Sequence, residues 1–324
     1  MSSEFRASTP ADGPQIAALA RRSLGVAPGN PMFTPEHMHW KYWSRWPEGP
    51  VTRSFVLTRN GQIVAHAGVL PLVAGGGSSP LSLLHPFDWA SEPTSVGAGA
   101  ALLKRIAGLA DGLLIVGGSP ATRRMAQPLG FRAAGEVACY AARVPAPELG
   151  ARRTNEHWEL RALSLLAAGG AEPDSGFTPP GWLRFRRTRD QLGTLASCPA
   201  AQFESHAVLQ QGAPLGGFVL AFAPFQARIA AFWCRSEQEC EIAALLQRAR
   251  ERAAAREGVE EVVCMTNLPA ECRALSAAGF QACPAVPMFL LAPGTRALPT
   301  EQLAFQMLDG DFAFLHHGAR QPWL

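Results

Sequence analysis

Two helical patterns in this chain end alike, at Leu129-Gly130-Phe131 and Ala278-Gly279-Phe280, and each sits inside the same order of elements. A glycine that closes a helix ahead of an apolar residue is a C-terminal cap, because its left-handed turn returns the next side chain to the core. Both Phe131 and Phe280 are therefore expected to be buried. A strand at 113–116 and Pro120 precede the first helix, and a strand at 137–144 follows it. A strand at 259–266 and Pro269 precede the second, with a strand at 288–291 after it. The repeated order argues for duplication without recognisable sequence identity. The 324 residues accommodate two domains, read as 1–150 and 151–324. Between the copies, Pro145 to Pro180 is rich in Pro, Gly and Arg. It reads as a connection with one helix of its own, Trp158 to Ala167.

The rest of the first half is legible from local chemistry. Thr9-Pro10 sets an N-cap and first helical position, and Ile16, Leu19, Ala20 and Leu24 form the apolar face behind it. Asn60-Gly61 is a two-residue hairpin turn between alternating runs. Leu81 to Ala90 reads as a strand in which Pro86 marks an edge or a bulge. A glycine loop, Val96 to Ala100, opens the next helix. In the second half a hairpin at 203–222 leads to a strand at 227–233 and a long helix from Glu237 to Arg256.

Composition removes several function classes. Hydrophobic residues make up 48% and charged residues 17%, a globular balance. A net charge of +3 is too weak to imply nucleic acid or an anionic membrane as partner. No apolar stretch approaches the ~20 residues of a membrane helix, and the first residues lack a signal-peptide core. The seven cysteines are scattered, with no C-x-x-C pair, and are expected to be reduced and buried. His37-x-His39 lacks a third ligand nearby, so no metal is expected. The expectation is a cytoplasmic, enzyme-like protein.

Asp88-Trp89-Ala90-Ser91-Glu92-Pro93-Thr94-Ser95-Val96-Gly97-Ala98-Gly99-Ala100-Ala101-Leu102-Leu103, the helix from Ser119 to Phe131, and the preceding Asn60-Gly61 hairpin together resemble the GCN5-related N-acetyltransferase superfamily. The resemblance covers most of residues 4–144 and, more weakly, 203–292. It implies an α/β fold of two tandem domains, each a mixed, mostly antiparallel sheet flanked by helices. It further implies acetyl-CoA as co-substrate and transfer to the amine of a small-molecule acceptor, such as an amino sugar. There are departures. Thr94 stands where the family has Arg or Gln. The family's tyrosine, four residues before the helix-ending glycine, is Ala126 here and Leu275 in the second half. Cys234-Arg235-Ser236-Glu237 replaces the second half's glycine loop, so cofactor binding is expected in the first half alone. Two other readings stay open: a degenerate pair that binds acyl-CoA or a partner protein without turnover, and a peptidoglycan-bridge-type transferase using aminoacyl-tRNA. Modest basicity and the lack of a coiled-coil arm count against the last.

A helix N-terminus presents unpaired amides to an anion, so the pyrophosphate is expected on Val96, Gly97, Ala98, Gly99, Ala100 and Ala101. The pantetheine arm is expected on the backbone of Trp89, Ala90 and Ser91, with Ser119 nearby. Transfer to an amine needs a proton acceptor. His85, Asp88 and Glu92 are alternatives for that role, and strict strand alternation puts Asp88 and His85 on opposite faces. Trp40, Tyr42 and Trp43 lie where the superfamily roofs its acceptor, with an aromatic core stripe as the alternative. Gly117-Gly118-Ser119-Pro120-Ala121 is rejected as a hydrolase elbow, since Pro120 has no N–H for an oxyanion. Gly97-x-Gly99 lacks the third glycine and the βαβ context of a dinucleotide site.

Overall fold

In a computed structural model of the chain, residues 3–47, 52–75, 80–144, 158–163, 176–293 and 302–314 are described. The first half runs β1 (Ser3–Ala7), α1 (Gly13–Leu24), α2 (Pro35–Met38) continuing into a π-helical turn (His39–Trp43), β2 (Ser54–Arg59), β3 (Gln62–Ala74), β4 (Leu81–Ser91), α3 (Ala98–Ala107), β5 (Gly112–Val116), α4 (Pro120–Ala126) and β6 (Arg132–Arg143). The second runs β7 (Trp158–Ala162), β8 (Trp182–Arg186), α5 (Arg189–Ala196), β9 (Gln202–Gln210), β10 (Ala213–Ala223), β11 (Gln226–Cys234), α6 (Glu239–Ala254), β12 (Glu261–Thr266), α7 (Pro269–Ala277), β13 (Gln281–Leu291) and β14 (Gln302–Ala304). The boundary read at 150 falls outside the described residues. Trp158–Ala162 is a strand and not the expected helix, because the outer edge of β9 takes it as an antiparallel partner.

Both helix ends carry the predicted cap. The Phe131 amide donates to Ala126 O at 3.0 Å and the Phe280 amide to Leu275 O at 3.0 Å, each one residue after a glycine at positive φ. The two phenylalanines are each 4% exposed. Cys139, Cys198, Cys234 and Cys264 are buried as expected, whereas Cys240 is exposed.

The strand order is β1-β2-β3-β4-β5-β13-β6-β12-β11-β10-β9-β7. A duplication of independent halves would place β6 beside β5 and β13 beside β12. Instead β13 pairs antiparallel with β5, β6 pairs antiparallel with β12, and the two exchanged strands pair with each other. The halves thus form one sheet. Strand alternation then sorts the core by face. Leu114, Val137, Val219, Val263 and Met265 look toward α1, the π-turn, α5 and the C-terminal residues. Leu113 and Ile115 look toward α3, while Phe218, Val262 and Cys264 look toward α6 and α7. One face is a core common to both halves.

Each half borrows a central strand, so residues 1–150 and 151–324 made separately are expected not to fold alone. Far-UV circular dichroism and thermal melts check this. A cooperative melt of residues 1–150 as a monomer would contradict it.

Candidate functional site

β4 and β5 run parallel for two residue pairs, Leu83↔Gly112 and Leu84↔Leu113, and then separate. A bulge accompanies the separation: the β3–β4 register shifts between His66 and Gly68, and Asp88 stands at φ +47°. That extra residue breaks the alternation assumed from the sequence. Asp88 and His85 both turn toward the shared core face, where they meet different partners.

Asp88 is mostly buried, its side chain 10% exposed. Its Oδ2 accepts from Tyr42 OH at 2.7 Å and pairs with Lys41 Nζ at 2.5 Å. Burial alone would raise its pKa, but Lys41 and the Tyr42 hydrogen bond outweigh burial and hold it below the ordinary value. The Tyr42 hydroxyl is pushed well up by burial and by Asp88, so it stays a donor. Lys41 Nζ also donates to Met32 O at 3.1 Å and lies over the Phe33 ring. Both contacts fall on Oδ2, which ties Asp88 to the π-helical turn. Lys41 is one of two lysines in an arginine-rich chain.

His85 sits at the vertex of the splay. Its Nδ1 lies 2.9 Å from Leu114 O on β5, where only a protonated nitrogen can bond. Nε2 then faces Asp311 Oδ1 at 3.7 Å. Nε2 is thereby turned to the C-terminal segment, where a Cβ on Gly310 would lie 3.2 Å from it, and not to an open cleft. Asp311 is 226 positions away in the chain, and no local pattern marks it. Glu92, at the end of β4, pairs with Arg22 of α1 at 2.9 Å, away from the vertex.

The glycine loop builds the other end of the site. Gly97 caps α3 at φ +80°, and a Cβ there would meet nothing within 4 Å. The amides of Gly99 and Ala100 belong to the first turn, which helix geometry leaves without intrahelical partners. Gly99 serves packing: a Cβ on it would lie 3.0 Å from Trp89 Nε1 and 3.2 Å from Ser91 Oγ. Trp89 Nε1 donates to Gly99 O at 3.2 Å, so the indole ties β4 to α3. Val96 at the loop tip is 92% exposed. Ser119 caps α4 by accepting from the Thr122 amide at 3.2 Å. At Trp89 to Ser91 the β5 side of β4 has no strand partner, although Ser91 O accepts from Ser23 Oγ at 2.8 Å; that edge and the glycine-opened helix fit the arm and pyrophosphate of an acyl-CoA.

Trp40 and Tyr42 are core side chains. Trp40 Nε1 donates to Thr194 O in α5 at 2.8 Å, binding the halves together. Trp43 Nε1 donates to Ser8 Oγ at 2.9 Å, beginning a chain through Ser54 to His66 Nε2. Tyr140 lies in the core under α6 and α7, on the face opposite the vertex.

The second half has the same splay, and the chain fills it. β11 and β12 pair in parallel through Ile229↔Cys264 and then part. Gln306 stands in the gap: its Oε1 accepts from the Phe232 amide at 3.2 Å and its Nε2 donates to Phe232 O at 3.0 Å. The first turn of α6 carries Glu239 and Glu241, whose charge opposes an anion there. Among the described residues, no group of three His, Cys, Asp or Glu could hold a metal, and no helix is long and apolar enough to cross a membrane.

His66 gives this region a pH signature. Burial holds its pKa down to about 4, against an ordinary 6.5. The unfolded chain therefore binds a proton that the folded one refuses between those values, and stability falls as pH drops through that window. The loss is expected to be roughly 3 kcal/mol. Urea unfolding of wild type and His66→Gln across pH 4 to 7 checks it; equal slopes would contradict the assignment.

No family model matches the sequence, and no curated protein matches it. Solved structures do. A GCN5-related N-acetyltransferase from Anabaena variabilis aligns over 90% of this chain and 73% of its own, with TM-score 0.62 and 11% identity. A tandem GNAT protein from the clavulanic acid biosynthesis pathway aligns over 91% and 100%, with TM-score 0.60 and 15% identity. Saccharomyces cerevisiae N-myristoyltransferase, solved with bound myristoyl-CoA and inhibitors, aligns over 92% and 81%, with TM-score 0.60 and 11% identity. With two exchanged halves, each splayed after its parallel strand pair, the chain has the fold of the GCN5-related N-acetyltransferases in its tandem form.

Proposed function

We propose that the protein is an acyl-CoA-dependent N-acyltransferase whose cofactor binds once per chain, in the first half. The observation that carries this reading is the pairing, in that half alone, of an open splay with a glycine-opened helix N-terminus. The second half has the splay without the cradle, and Gln306 occupies it. An acyl thioester supplies an activated carbonyl; an amine attacks it, the new C–N bond replaces C–S, and coenzyme A leaves as the thiolate, which then takes up the proton that the amine gives up. The amine's proton passes to water, since His85 Nδ1 is bonded to Leu114 O and Nε2 is turned to Asp311 and the C-terminal segment.

Ala126, at the family's tyrosine position, is 2% exposed and has no proton to give. It favours a second reading, binding without turnover. Release of thiol from acetyl-CoA with a panel of primary amines separates the two. A thiolate leaving group needs little acid help, so turnover is expected despite Ala126.

Calorimetry with acetyl-CoA is expected to give one equivalent per chain. Gly97→Asp should weaken binding by at least about tenfold, since it strains a left-handed position and sets a carboxylate beside the phosphates. Two equivalents, or unchanged affinity in the variant, would defeat the proposal.

A further inference from the structure

The vertex of the β4–β5 splay is closed from behind. A cofactor arm that starts at the first turn of α3 and runs along β4 meets His85 six positions before Ser91. At about 3.3 Å per residue that is ~20 Å of strand, shortened by the bulge at Asp88. At that depth the imidazole is 2% exposed and spans the gap, its Nδ1 bonded to Leu114 O at 2.9 Å. It has little room to retreat. A Cβ on Gly310 would lie 3.2 Å from His85 Nε2 and 3.1 Å from both Phe305 Cζ and Phe312 Cδ2, so the C-terminal segment packs directly against the ring.

That segment is itself fixed. Gln306 is bonded to both backbone groups of Phe232, Asn267 Oδ1 accepts from the Phe305 amide at 2.8 Å, and Asn267 Nδ2 donates to Leu303 O at 2.7 Å. Asp309 is ion-paired with Arg187. A wall tied to the second half at four points yields less than a free loop, because close-packed interiors resist displacement.

We propose that His85, braced by Phe305 and Gly310, is the floor of the acyl pocket and restricts the acyl group to acetyl or a similarly short chain. This rests on the acyl-CoA reading above and deepens it. The fold alone sets no such limit, since a structural neighbour holds myristoyl-CoA. The limit comes from one imidazole at the vertex, and the filled second splay provides the backing that keeps it there.

Competition calorimetry on the full chain, with coenzyme A, acetyl-CoA, butyryl-CoA and octanoyl-CoA, tests the floor without needing an acceptor. Wild type is expected to bind octanoyl-CoA at least about tenfold more weakly than acetyl-CoA. His85→Ala should bring the two within about threefold, whereas His85→Asn, whose amide can still donate toward Leu114, should keep most of the discrimination. Equal wild-type affinity for acetyl- and octanoyl-CoA would overturn the proposal, and so would unchanged discrimination in a folded His85→Ala. If His85→Ala does not fold, the wild-type series decides alone. Failure of coenzyme A itself to bind would instead contradict the acyl-CoA reading.

Discussion

The buried ion pair of Lys41 with Asp88 holds the geometry on which the site depends. Asp88 occupies a left-handed backbone conformation, which costs a non-glycine residue of order 1–3 kcal/mol unless its surroundings enforce it. Lys41 and Tyr42, delivered by a π-helical turn, supply that enforcement at 2.5 and 2.7 Å. A buried pair of this kind adds little net stability, yet removing one partner leaves an uncompensated charge. Its value is in conformation. The bulge it fixes brings His85 and Asp88 to one face, just where β4 leaves β5.

The second structural constraint is the exchange of β6 and β13. It merges two duplicated units into one sheet and gives them a common core face. The second half then acts as scaffold: its splay receives Gln306, and the segment so anchored carries Phe305, Gly310 and Asp311 to the vertex of the first splay. A half without a glycine-opened helix thereby shapes the half that has one.

Features set by neighbouring residues were legible in the sequence. The Gly-Phe helix ends, the Asn60-Gly61 turn and the glycine-opened helix each follow from backbone chemistry within a few positions, and each stands where expected. The tandem α/β fold followed from their order. The strand exchange did not, because β6 and β13 carry the same kind of alternation and either could pair with β5. Of the candidate site, the glycine loop before α3 was legible. Gly97 acts through its own φ, whereas Gly99 turned out to accommodate Trp89. Asp311, at the vertex of the first splay, and Gln306, in the second, act across more than 200 and 70 positions respectively and leave no local mark. Trp40, Tyr42 and Trp43 carried an ambiguous signal, since an aromatic stripe looks the same whether it packs or binds.

The central claim is that the first splay alone receives an acyl-CoA. Hydrogen exchange read by mass spectrometry, with and without coenzyme A, tests it most directly. Slowed exchange is expected in peptides covering 85–91 and 96–101, with no change across 230–234 beside Gln306. Protection confined to 230–234, or equal protection at both splays, would contradict it.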